Sequence, residues 1–94
     1  MSFAEPWRGS INGILYGLIF VRELNETVAD GMARAMLQRR SWGNNPEEFV
    51  EAIPLALAHP GRIVDGIPTH HTEEQFRAYL TILADKLESL RPWP

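Results

Sequence analysis

Five apolar residues near the end of the chain, Phe76, Leu80, Leu83, Leu87 and Leu90, recur at alternating intervals of four and three. That interval keeps them on one stripe of an α-helix, and no strand would gather them on one face. The flanks mark the ends of this helix. Thr72 and Gln75 stand at the two reciprocal positions of a capping box. Glu73 and Glu74 put negative charge at the positive end of the helix dipole, and Pro92 halts the helix after Arg91. A chain carrying this amphipathic helix needs other apolar faces to cover it.

Those faces are read upstream. The run Ile11–Val21 is the most apolar in the chain but is far shorter than the roughly 20 residues of a membrane span. As a helix it groups Ile11, Ile14, Leu15 and Leu18, with Ser10 as its cap. As a strand its β-branched and aromatic residues would suit a buried position, against the cost of Gly13 and Gly17. Helix is the favoured reading, with the glycine pair as a face for close packing. Asn25 or Thr27 caps a second helix with Val28, Met32 and Met36 inward and Arg39 and Arg40 at its end. A single bent helix over 11–40 is the alternative. Asn45-Pro46-Glu47-Glu48 reads as a third helix start. Phe49, Val50, Ile53 and Leu57 continue it inward, and Pro54 is expected to kink it or end it near Ile53.

The expected fold is all-α, a small four-helix bundle-like single domain over 1–94. Helices lie near 11–23, 26–40, 46–58 and 73–91, with an N-terminal arm over 1–10, a long Pro- and Gly-containing loop over 59–71, and a mobile tail over 92–94. The core is expected from Ile14, Leu15, Leu18, Met32, Met36, Phe49, Ile53, Phe76, Leu80, Leu83 and Leu87. With 94 residues, 45% of them hydrophobic, such a core needs no disulfide or metal, and there is no cysteine to form a disulfide.

Absence of cysteine excludes a thiol nucleophile and thiolate metal sites. No serine at 2, 10, 41 or 89 lies in a nucleophile-elbow motif, and no glycine-rich phosphate loop is present. The carboxylate pairs Glu47/Glu51 and Asp85/Glu88 sit on polar helix faces, where solvation is the default. No catalytic residue, cofactor or metal site is therefore assigned, and the chain is not read as an enzyme. His59, His70 and His71 flank the long loop with Asp65 between them, a weak pattern for a two-histidine, one-carboxylate metal site.

The net charge is −3 and the longest basic run is Arg39-Arg40, so no nucleic-acid partner is expected. The N-terminus lacks a secretory pattern, which gives a cytoplasmic expectation with no membrane contact. What remains is protein recognition. Glu47, Glu48 and Glu51 with Glu73 and Glu74 would form an acidic surface for a basic partner if the two helix starts adjoin. Trp42, Trp7 and Tyr79 are candidate aromatic anchors. The phrases HPGRIVDGIP and TEEQF resemble segments of the small helical immunity proteins of nuclease bacteriocins. They occur here in the opposite order and without that family's dense acidic helix, and no residue role is carried over. The expectation is an acidic protein-binding module of the immunity or inhibitor type that neutralises a toxin or nuclease. The alternative is a self-associating helical regulatory or assembly subunit, a homodimer among the possibilities.

Overall fold

The computed structural model describes residues 7–38, 46–64 and 69–92. It is all-helical: α1 (Arg8–Gly17), α2 (Glu26–Gln38), α3 (Pro46–Ala58) and α4 (Glu73–Ser89), with no strand among the described residues. α4 packs on both α2 and α3, and α3 packs on α1. The last helix is thus the one around which the bundle is assembled. Phe76, Leu80, Leu83 and Leu87 are buried, as the spacing requires, and Tyr79 joins them. Both halves of the capping box form: Gln75 N–H donates to Thr72 Oγ1 and Thr72 N–H to Gln75 Oε1.

Asn25 is the cap of α2, its side chain accepting from Val28 N–H at 3.0 Å. A separate α2 rules out one bent helix over 11–40. Arg39, Arg40, Trp42, Asn45 and Asp65 lie outside the described residues. Of the expected core, all are fully buried except Met32, which is only partly covered. Ile11, Ile63 and Val64 and the small residues Ala29, Ala33, Ala52 and Ala56 complete it.

The structure departs from expectation in α1 and α3. α1 starts three residues before Ile11, so the arm over 1–10 is helical from Arg8, and Ser10 is inside the helix rather than its cap. Tertiary contacts replace a cap: Trp7 is buried, its ring meets that of His59 at 5.1 Å, and Arg8 lies 4.5 Å over the indole. The same helix stops at Gly17, well before 23, because the carbonyls beyond it are taken elsewhere. Leu18 C=O accepts from Val21 N–H and from the ring of His71, and Arg22 C=O lies 3.3 Å from the ring of His70. Of the glycine pair expected to form a packing face, Gly17 is exposed and Gly13 half-buried. α3 does not end near Ile53: it continues past Pro54 to Ala58. The Pro54 ring is exposed, so the lost donor is on the solvent side. No helix of the described residues is long and apolar enough to cross a membrane.

Candidate functional site

The acidic residues expected to form one surface fall into separate places. α3 and α4 are antiparallel. Arg91, just past the end of α4, donates to Glu47 at the start of α3, while Arg77 near the start of α4 donates to Leu57 C=O near the end of α3. The two helix starts are therefore at opposite ends of α4, about 25 Å apart for a helix of 17 residues. Glu47, Glu48 and Glu51 cannot share one face with Glu73 and Glu74.

Two of these carboxylates are used internally. Glu47 and Glu88 both pair with Arg91, all exposed. Glu73 closes the long loop onto α4. Its Oε2 accepts from Ile63 N–H and Arg77 Nε at 2.9 and 2.8 Å, and its Oε1 accepts from Val64 N–H at 3.0 Å. Arg77 extends the clamp, donating to the carbonyls of Leu57, His59 and Gly61. Partial burial pushes the Glu73 carboxyl up. The two amides, and then Arg77, outweigh that and hold it below its ordinary value. Ile63 and Val64 can be buried because this carboxylate satisfies their amides. Glu74 is exposed beside it.

The remaining pair, Glu48 and Glu51, lies on the outer side of α3. With Ala52 and Leu55 they face Trp7, just before α1, and Ser10 of α1 across a shallow groove of about 150 Å³. Leu55 is 51% exposed, one turn beyond Glu51. Glu51 is exposed and has no ion-pair partner among the described residues, whereas Glu48 makes a polar or electrostatic contact of its own. This groove is the candidate partner-binding site. Trp7 and Tyr79 are both buried in the core and do not serve as protruding anchors. Burial also pushes the Tyr79 phenol above its ordinary range, and its hydroxyl meets Met32 Sδ at 3.5 Å.

The histidines are structural fasteners. His71 is buried, its Nε2 3.3 Å from Leu18 C=O, and its ring lies 4.1 Å from that of His70. A carbonyl only accepts, so Nε2 carries the hydrogen in each of these bonds. Together they hold the turn after α1, where Phe20 is 95% exposed. His59 lies instead against Trp7 and Gly61. Among the described residues no three His, Asp or Glu side chains come together as metal ligands.

Sequence reasoning missed the clamp and the fasteners. Glu73 and Arg77 are four apart on α4, and that spacing was the available signal for the first. Nothing local marks His71 as buried or Phe20 as protruding. No known family model, curated protein or solved structure matches the chain.

Proposed function

We propose that this protein binds another protein through the α1–α3 flank and masks a basic surface on it, in the manner of a small inhibitor or immunity protein. The observation that carries the reading is the Glu51–Leu55 pair. An exposed carboxylate without an ion-pair partner among the described residues and a half-exposed leucine stand one helical turn apart at the edge of a concave seam. Leu55 offers apolar area that water solvates poorly. Glu48 and Glu51 supply charge that steers a cationic partner and fixes its register. A nuclease or other polyanion-binding toxin presents such a cationic surface, because its own substrate site must neutralise phosphates. Acidic groups seated over that site compete with the substrate.

The test uses a partner recovered from the protein's own host. Titration calorimetry at two salt concentrations compares the native chain with Glu51→Lys and Leu55→Glu. The expected result is an affinity loss of at least about tenfold for each variant, with a shallower salt dependence for Glu51→Lys. Unchanged affinity in both variants would place the contact elsewhere and end this reading.

A further inference from the structure

A second surface, sharing no residue with the α1–α3 seam, combines a knob and a hollow. The knob is Phe20, held out on the turn that His71 and His70 fasten through the carbonyls of Leu18 and Arg22. The hollow is a groove of about 420 Å³ beside it, lined by Arg22, Glu23, Leu24, Gln75 and Ala78. It lies between the non-helical 21–25 segment and the first turns of α4. Leu24 is partly buried and Ala78 exposed, so the groove pairs an apolar wall with a small residue that leaves room for a ring.

We infer that the occupant of this groove is a second copy of the same chain, joined by a two-fold axis. Such a contact requires a patch complementary to itself: whatever residue i offers, residue j must accept, and the reverse. Two features of this patch fit that requirement. The knob and the hollow are neighbours, so each copy's Phe20 enters the other's groove beside Leu24 and Ala78. Arg22 and Glu23 are adjacent and opposite in charge. An axis passing between them sets the Arg22 of each copy against the Glu23 of the other. Both side chains are exposed, and neither has an ion-pair partner among the described residues.

The size of the patch sets the strength. A buried aromatic ring contributes roughly 150–250 Å². Two copies of Phe20, with the groove walls they cover, stay below the roughly 1,200 Å² of a standard stable interface. The dimer is therefore weak and forms at high concentration. The fastened turn favours it, because little backbone freedom remains to be lost on contact.

The test is a dilution series of the full chain from about 1 mM to about 10 μM, followed by sedimentation equilibrium and by amide NMR. Reversible dimerisation is expected, with concentration-dependent shifts at Phe20, Leu24 and Ala78. Phe20→Ser and Ala78→Arg, both at exposed positions, abolish it while leaving the helical spectrum intact. Arg22→Glu and Glu23→Arg each weaken it by about fivefold or more through like-charge contacts. The double variant, which restores opposite charges across the axis, recovers the native affinity. A chain that stays monomeric to about 1 mM overturns the inference. So does a dimer indifferent to Phe20→Ser, or one that the double charge reversal does not rescue.

Discussion

Replacing Glu73 with Gln changes one oxygen for an amide and keeps the side chain's shape, so it isolates what the carboxylate does. In the native chain its two oxygens accept three hydrogen bonds, from Ile63 N–H, Val64 N–H and Arg77 Nε. Glutamine has a single acceptor oxygen. Whichever way it turns, its NH2 confronts at least one of these donors. Hydrogen bonds to a charged group contribute about 1.5–3 kcal/mol, and an orphaned buried donor costs about 1–3 kcal/mol. The Glu73 side chain is 23% exposed, so some relief by solvent is available. The net expectation is a loss of about 2 kcal/mol. For a domain of this size that is a melting-temperature drop of roughly 8–16 °C.

The assay is urea and thermal unfolding followed by circular dichroism. Glu74→Gln serves as the control, because Glu74 has the same charge and dipole position but is exposed. That variant should fall within about 0.5 kcal/mol of the native chain. The acid limb gives a second reading. Glu73's carboxyl in the folded chain lies below its ordinary value of 4.5. Its contribution is therefore complete above that pH and is lost as the pH falls through the lower folded value. Glu73→Gln lacks this limb. Equal stability of the two glutamine variants at neutral pH would refute the clamp.

The remaining predictions concern the core and the surface. Leu83→Ala, at a fully buried position of α4, should cost about 2–5 kcal/mol in urea unfolding, whereas Leu55→Ala should cost less than about 0.5 kcal/mol. Burial raises the Tyr79 phenol, so its stabilising effect is present below the unfolded-state value of about 10 and is lost above it. Alkaline titration should show Tyr79 ionising only together with loss of helical signal, and its ionisation in the intact fold would contradict the burial. Arg91→Ala removes the exposed contacts to Glu47 and Glu88 and should leave the melting temperature unchanged, since such pairs are screened and entropically costly.

How far the sequence carried depended on whether a signal was local. α4 was legible almost to the residue, because stripe, capping box and terminal proline all agree within one segment. The start of α3 was readable for the same reason, and the cap of α2 was narrowed to Asn25 or Thr27. The limits of α1 were not. Its first residues are helical because Trp7 is buried against His59 and Arg8 reaches Ile63, partners about 50 residues away. Its end is set by histidines equally distant in the chain. The acidic surface failed on topology: Glu47, Glu48, Glu73 and Glu74 stood where a helix start wants them, but the antiparallel packing of α3 and α4 separates the two clusters. Glu51 was visible on the polar face of α3, while the exposure of Leu55 and the seam beside it depend on α3 running past Pro54 and on where α1 lies.

The central functional claim is that the α1–α3 flank holds a basic protein. Native mass spectrometry of the untagged chain from its own host, run beside a Glu51→Lys version, tests it most directly. A second, basic chain at fixed stoichiometry is expected with the native protein and is lost from the variant. A native chain that appears alone or only with copies of itself, or a companion retained equally by Glu51→Lys, would contradict it.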